Sequence, residues 1–377
     1  MLHIPSTGQR SDSAQSRIYR YLYESKDFCT KQALAKHCKI SMPTLYQNLS
    51  ELMENGLVRY SGEEQSTGGR KAQGLEIIPD ARYAVGMSIM ESRLRFAAAD
   101  LRLNELAYHE TRFAGISQLT EQTGTIRREL DAFLDSHGLD HERMLGVGIT
   151  IPGIVTPECD RIVMAPTLHL RDTPLDTLTQ DIPYPVYIKN DASSSGYAEW
   201  FARGEFQRNM AYLSLENGVG GAVLANYTPY GGDNGRSGEF GHICVEPGGL
   251  PCCCGRRGCL EAYCSAQRIT EELGITPDEF FVGADRHDPA CETLLYDMLR
   301  HLAIGINNIH MALDCDVVLG GILSEYLQPY LPSLKRYVLA GNPFETDADF
   351  VRLSTLRRHT APLGAALYFI REFISCV

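Results

Sequence analysis

The sequence predicts an α/β body behind a small, separate helical head, and three observations predict it. From Tyr83 onward, short apolar runs alternate with helical stretches, the pattern of strands covered by helices. The charge is divided unevenly: residues 1–80 hold 10 Lys/Arg and 9 Asp/Glu, a net of +1, so the remainder carries −13 of the total of −12. Six of the twelve cysteines lie between Cys244 and Cys264, and the other six are scattered singly.

At 377 residues the chain has room for two or three domains. A hydrophobic share of 44% with 22% charged residues excludes a largely disordered chain. The acidic total confines any nucleic-acid surface to a local patch. No run approaches about 18 apolar residues, so no membrane insertion is expected. The first residues, Met1-Leu-His-Ile-Pro, lack the apolar core of a secretory signal, which makes the cytoplasm the expected compartment.

The head is expected over residues 1–80, closing with the linker Pro79-Asp80-Ala81. Arg17–Glu24 reads as a helix with Ile18, Tyr21 and Leu22 on one face, and Lys31–Cys38 as a second. Lys39-Ile40 is the turn between the second and third helices. Ser41 is a suitable N-cap for the third helix, and Pro43 fits its first turn. Leu45, Leu49, Leu52 and Met53 form its buried stripe, and Asn55-Gly56 ends it. Leu57–Tyr60 and Leu75–Ile78 read as strands flanking a tip over Ser61–Ala72.

Three helices followed by a hairpin form a winged helix-turn-helix pattern, whose partner is double-stranded operator DNA. Gln47 and Asn48 suit adenine edges, Thr44 shares their face, and Ser41 and Tyr46 are in reach of phosphates. Arg70 and Lys71, beside the tip glycines, suit a narrow minor groove. The third helix has no Lys or Arg, so phosphate affinity falls to Lys31, Lys36, Lys39, Arg59 and the tip. The alternative is a small protein-interaction module.

In the body, strands are expected at Tyr83–Ile89, Arg95–Asp100, Met144–Ile151, Val186–Lys189, Ala211–Glu216, Gly221–Ala225 and Val317–Leu319. Helices are expected at Ser117–Ser136, Ser193–Ala202, Ser265–Leu273, Ala290–Ala312, Ser324–Val338 and Pro362–Cys376. No solenoid-type repeat is visible.

His242, Cys252, Cys254 and Cys259 supply one nitrogen and three sulfurs, a closed tetrahedral set for Zn2+. Four protein ligands leave no position for water, so the zinc is expected to be structural. Reduced thiols without metal are the alternative. Cys253 is expected to point away from the site, and Cys244 and Cys264 to lie in the core.

Ser237-Gly-Glu-Phe-Gly-His242 followed by Cys252-Cys-Cys-Gly-Arg-Arg-Gly-Cys-Leu-Glu261 resembles the signature of the ROK family (repressors, open reading frames and sugar kinases). Pro152-Gly153, Asn190-Asp191-Ala192, Gly218-Val-Gly-Gly221, Gly320-Gly321, Gly364-Ala-Ala366 and the Gly-Gly-Arg of the tip are similar as well. The resemblance implies an actin-like (ribonuclease H-like), two-lobed sugar-kinase-type domain over residues 81–377. Lobe 1 would span about 81–190 plus the terminal helix 362–377, and lobe 2 about 191–361. It also implies a sugar pocket formed by Asn190, Asp191, Glu239, His242 and Glu261, and a homodimer or homotetramer. One ring nitrogen of His242 would be left for a hydroxyl or a supporting partner. Asp191 standing alone would serve equally as the N-cap of the following helix.

A ROK kinase needs an Asp-x-Gly-Gly-Thr turn to grip phosphates. Here Ser88 stands for the Asp, and Met90 and Glu91 for the glycines. The second phosphate turn, Gly-Thr-Gly in kinases, is Glu216-Asn217-Gly218. The expectation is a sugar-responsive regulator, a repressor that is not an enzyme, with a sugar or sugar phosphate as effector. The alternatives are a sugar kinase with an appended DNA-binding head, or a regulator governed by a protein partner.

Overall fold

A computed structural model describes residues 13–25, 29–63, 73–116, 124–204, 208–226 and 228–377. Arg70 and Lys71 of the expected tip lie outside these residues.

The head begins with α1 (Ala14–Glu24), capped by the Ser13 side chain, and α2 (Lys31–Cys38), capped by Thr30. Lys39 turns the chain with φ 52°, and α3 (Met42–Glu54) starts where the Ser41 hydroxyl accepts from the Thr44 N–H. Gly56, at φ +67°, leads into β1 (Val58–Glu63), which pairs antiparallel with β2 (Gln73–Ile77). Ile18, Leu22, Leu34, Leu45, Leu49 and Leu52 form the core of the head.

The face expected for α1 is incomplete. Tyr19 and Tyr23 are also buried, and they face the body. The Tyr19 ring packs edge-on against Phe373 at 6.3 Å, and the Tyr23 hydroxyl donates to Leu101 O at 2.7 Å. The Arg102 guanidinium lies over the Tyr23 ring and donates to Tyr23 O, and Ser16 donates to the carbonyl of Val377. The head is therefore docked on the end of the terminal helix.

The body holds two five-stranded sheets of the same topology. In the first, β3 (Tyr83–Ile89) pairs antiparallel with β4 (Arg93–Asp100), and β4 with β5 (Glu105–Arg112). On the other side of β3, β6 (Met144–Ile151) runs parallel, followed by β10 (Val186–Asn190). Between these two, β7 (Ile154–Val155), β8 (Arg161–Ala165) and β9 (Leu170–Pro174) form a separate three-stranded sheet. In the second large sheet, β11 (Met210–Leu215) pairs antiparallel with β12 (Val219–Ala225), and β12 with β13 (Thr228–Tyr230). On its far side run β14 (Asp316–Gly320) and β15 (Val351–Leu353), both parallel.

Helices of two turns or more are α4 (Thr125–Ser136), α5 (Asp191–Arg203), α6 (Ala266–Leu273), α7 (Pro277–Asp285), α8 (Pro289–Leu313), α9 (Leu331–Ala340) and α10 (Thr360–Cys376). The helix expected over Ser324–Val338 is broken. A 3-10 segment at Ile322–Tyr326 precedes α9, and Pro329, which has no N–H, stands in the gap. Part of the expected Ser117–Ser136 helix lies outside the described residues.

Helix α10 rests directly on the first large sheet and α5 on the second, and the two helices pack against each other. The contact is close enough to require glycine. A Cβ at Gly86 would lie 1.6 Å from Pro362 O, and one at Gly364 1.8 Å from Ser194 O. This packing sets the spacing of the two sheets, and the hairpin turns 90–92 and 216–218 are their equivalent ends.

Candidate functional site

Asn190 ends β10, and its side chain starts α5: Oδ1 accepts from Ser193 N at 2.9 Å, and Nδ2 donates to Gly153 O at 3.0 Å. The helix cap is therefore Asn190. Asp191, as the first helical residue, is left with a carboxylate beside the helix N-terminus, where an anion is favoured. Asp191 Oδ1 accepts from Ala192 N at 2.8 Å. Burial raises its pKa to about 6, the Ala192 hydrogen bond opposes the rise, and the negative charge of Glu239 adds to it.

Glu239 precedes the one-turn segment Phe240–His242. Its Oε2 lies 3.9 Å from His242 Nε2, and its pKa is raised by burial and by the charge of Glu261, against the pull of His242. Glu261 opens the short helical turn Glu261–Cys264, and its Oε2 accepts from Val219 N at 2.9 Å. A Cβ at Gly218 would come within 2.7 Å of that oxygen, so a larger residue there would displace the Glu261 carboxylate. Asp191, Glu239 and Glu261 thus form an electrostatically coupled row. His242 stands at one side of it and Asn190 anchors its start.

The cysteine cluster forms the wall behind this row. His242, Cys252, Cys254 and Cys259 place their ligand atoms within 4.8 Å of one another, so they could hold a metal ion. Cys252 Sγ is 3.8 Å from His242 Nδ1, and Cys254 Sγ is 3.7 Å from Cys259 Sγ. A tetrahedron with metal–sulfur bonds of about 2.3 Å has edges of about 3.8 Å, so the four residues fit such an ion. Burial and the neighbouring thiols push Cys259 up to about 12, a crowding that a cation would reverse. His242 uses Nδ1 toward the sulfurs and leaves Nε2 for Glu239.

Cys253 lies outside the four-residue set, and its thiol donates to Glu261 Oε1 at 3.0 Å. One cysteine departs from expectation: Cys244 is exposed, whereas Cys264 is buried as expected.

The segments expected to replace phosphate turns make contacts within the chain. Ser88 and Thr150 are buried, with their hydroxyls 2.7 Å apart. At the turn Met90-Glu91-Ser92, Met90 N donates to Arg93 O at 2.9 Å. At the turn 216–218, Glu216 Oε1 accepts from Ile322 N at 3.2 Å. The Glu216 pKa is raised to about 7 by burial and by the charge of Asp191, with Arg95 of the other sheet opposing. Thr150 and Ile322 carry no motif, and sequence reasoning did not find them.

On α3, Ser41, Tyr46 and Gln47 are exposed, and Thr44 is half-buried. Asn48 turns its amide back to Thr44 O at 2.7 Å, and Ser41 Oγ lies 2.8 Å from Thr44 Oγ1. Lys31 Nζ sits 4.8 Å from the Tyr46 ring and 4.9 Å from the Tyr60 ring, and it donates to the Tyr60 hydroxyl at 2.9 Å. This clamp ties α2, α3 and β1 together, and it was not anticipated. Among the described residues, no helix is long and apolar enough to cross a membrane.

Two like-folded sheets joined through the packed helices α5 and α10 define a two-lobed, sugar-kinase-like α/β protein. The chain belongs to the ROK family, whose profile matches residues 87–372. It is 25% identical to the xylose repressor of Bacillus subtilis strain 168, over 92% of each chain. It is 31% identical to a glucokinase of Halalkalibacterium halodurans, over 64% of this chain and 81% of that one. A crystal structure of a ROK family transcriptional regulator, a homologue of the Escherichia coli MLC protein, superposes with a TM-score of 0.78. That match has 19% identity and covers 97% of this chain and 96% of the other.

Proposed function

We propose that this chain is a sugar-responsive, DNA-binding transcriptional repressor of carbohydrate uptake or catabolism genes, without kinase activity. Residues 1–80 form a winged helix-turn-helix, and residues 81–377 an effector domain, with lobe 1 at about 81–190 plus 362–377 and lobe 2 at about 191–361. The observation that carries the reading is a contrast within one site. The chain keeps the acceptor row Asn190, Asp191, Glu239, His242 and Glu261, while the turns 90–92 and 216–218 carry Met90, Glu91 and Glu216, and each is spanned by one internal hydrogen bond. Acceptor carboxylates suit the hydroxyl donors of a sugar, and bulky or acidic side chains in a turn that must approach phosphates closely do not suit polyphosphate. Similarity to a xylose repressor over nearly the whole chain supports the reading.

The metal set His242, Cys252, Cys254 and Cys259 would hold a structural zinc that fixes the separation of Glu239 and Glu261. Elemental analysis of the purified protein should find about one zinc per chain, and Cys254→Ser should lower it sharply. Less than half an equivalent in the wild type would overturn the assignment.

Sugar bound at the start of α5 can act on the head through packed helices. Helix α5 packs on α10, and α10 on α1. The effect requires that the sugar bind two arrangements with different affinity. In a homodimer or homotetramer, two heads would read half-sites about one DNA turn apart. Ser41, Thr44, Tyr46, Gln47, Asn48, Arg70 and Lys71 are the proposed DNA contacts. Arg70→Ala with Lys71→Ala should weaken operator binding and flatten the slope of log K against log salt by roughly two per head. An unchanged slope would remove both residues from the contact list.

A sugar kinase with a DNA-binding head is the second reading, favoured by the retained Asp191 and by the similarity to a glucokinase. A coupled ATP-consumption assay with a panel of sugars decides between the two. Turnover at an ordinary enzymatic rate overturns the repressor reading. A thermal-shift screen with the same panel, with and without ATP, tests the pocket: a ligand at 100 times its Kd stabilises by about 2.7 kcal/mol. Operator binding with no sugar response would point instead to control by a protein partner.

A further inference from the structure

We infer that the pocket admits an uncharged sugar and rejects the phosphate ester of that sugar, because Glu216 holds a fixed carboxylate, bound to the Ile322 amide, where an ester phosphate would need donors. The inference deepens the sugar-pocket reading above and rests on it.

A phosphate ester brings only acceptor oxygens and up to two negative charges, and it must be met by free N–H groups or cations. Along the turns 90–92 and 216–218 and at Ile322, four backbone amides are already used within the chain. Met90 N donates to Arg93 O, and Glu216 N to Gly218 O, each at 2.9 Å. Val219 N donates to Glu261 Oε2 at 2.9 Å, and Ile322 N to Glu216 Oε1 at 3.2 Å. The cation whose charge reaches Glu216 is Arg95, and its Nε is already bound to Glu110 Oε2 at 2.7 Å. The backbone around Ile322 has no slack. Gly321 stands at φ +81°, and a Cβ there would lie 2.5 Å from Leu215 O, so the segment is pressed against the end of β11.

The charges point the same way. Burial and the Asp191 charge already raise Glu216 to about 7, and burial and the Glu239 charge raise Asp191 to about 6. A dianion set among these carboxylates meets repulsion that an uncharged ring does not. A sugar hydroxyl supplies the hydrogen-bond donor that a carboxylate row lacks, whereas a phosphate supplies another acceptor.

The test is calorimetric titration of the full-length protein with D-xylose, D-glucose and N-acetyl-D-glucosamine, and with xylose 5-phosphate and the 6-phosphates of the two hexoses. One parent sugar should bind at least about a hundredfold more tightly than its ester, the scale set by like charges about 4 Å apart in a partly screened site. In titrations run well above the raised pKa of Glu216, where its carboxylate is ionised, Glu216→Gln removes a full negative charge and should narrow that ratio at least tenfold. An ester that binds the wild type as tightly as its parent overturns the inference and leaves the sugar pocket standing. Binding of none of the six overturns the pocket reading, and this inference with it. The wild-type ratio needs no variant, so misfolding of Glu216→Gln would not remove the test.

Discussion

Replacing Glu199 with Ala should destabilise the body by roughly 3–5 kcal/mol. The Glu199 side chain is fully buried in the middle of α5 and accepts five hydrogen bonds. Oε1 takes Arg203 Nε at 2.7 Å, Thr355 N at 2.8 Å and Thr355 Oγ1 at 3.0 Å; Oε2 takes Ser354 Oγ at 2.6 Å and Leu356 N at 2.9 Å. Arg203 in turn donates to Leu353 O at 2.7 Å. One carboxylate thus joins α5 to the segment that follows β15 and leads into α10. Its removal leaves a nearly buried guanidinium unpaired and two backbone N–H groups without acceptors, each costing more than the bond it made. Thermal unfolding should show a loss of about 6–15 °C, and Glu199→Gln, which keeps the shape and part of the bonding, should fall between the variant and the wild type. A change of less than about 2 °C in Glu199→Ala would show that the clamp contributes little.

Asp191→Asn should abolish the sugar response and leave operator binding intact. The substitution keeps the size of the side chain and an oxygen for Ala192 N, so the start of α5 survives. It removes the charge that makes hydrogen bonds from sugar hydroxyls strong, a loss of about 1.5–3 kcal/mol, or roughly ten- to a hundredfold in affinity. A pH effect goes with it. The folded-state pKa of Asp191 is raised to about 6 by burial, so its ionised form is disfavoured in the folded chain. Its contribution to folding stability is therefore greatest below the ordinary Asp range and is lost as pH rises through about 6. Sugar binding should run the opposite way in the wild type, weakening as pH falls below about 6 and the carboxylate takes up its proton. The Asn variant should lose that component. Titrations at several pH values check both points; loss of operator binding in Asp191→Asn would instead mark Asp191 as a folding residue.

Much of the fold was legible because its signals are local. Ser41, Pro43 and Gly56 punctuate α3 as read, and β3 and β6 have the predicted limits because each is a short, mostly apolar run. The grouping of His242, Cys252, Cys254 and Cys259, which could hold a metal ion, was legible from spacing, since ligation by one imidazole and three thiolates constrains the chain tightly. The loss of glycine at Met90 and Glu91 was equally plain. Helix α7 was overlooked although Thr276 and Glu279 form a capping box, a signal the sequence does carry.

Other features depend on partners far away in the chain, and no local pattern records them. Strand β5 has no clean alternation, because it is an edge strand whose Glu110 pairs with Arg93 and Arg95 of β4. The repeated sheet topology left no visible sequence repeat, because strand order is set by long-range pairing that many sequences satisfy. Tyr19 and Tyr23 lie outside the face read for α1, and the body covers them. The sequence by itself determined the N-cap of α3, the grouping of one histidine with three cysteines that could hold a metal ion, and the absence of glycine from the 90–92 turn, since each follows from residue type at a fixed local spacing. Only the tertiary structure decided that Asn190 caps α5 and leaves Asp191 in the row, that Cys253 supports Glu261, and that Glu216 is tied to Ile322. Those outcomes turn on which groups meet across the folded chain, and no local residue pattern records such meetings.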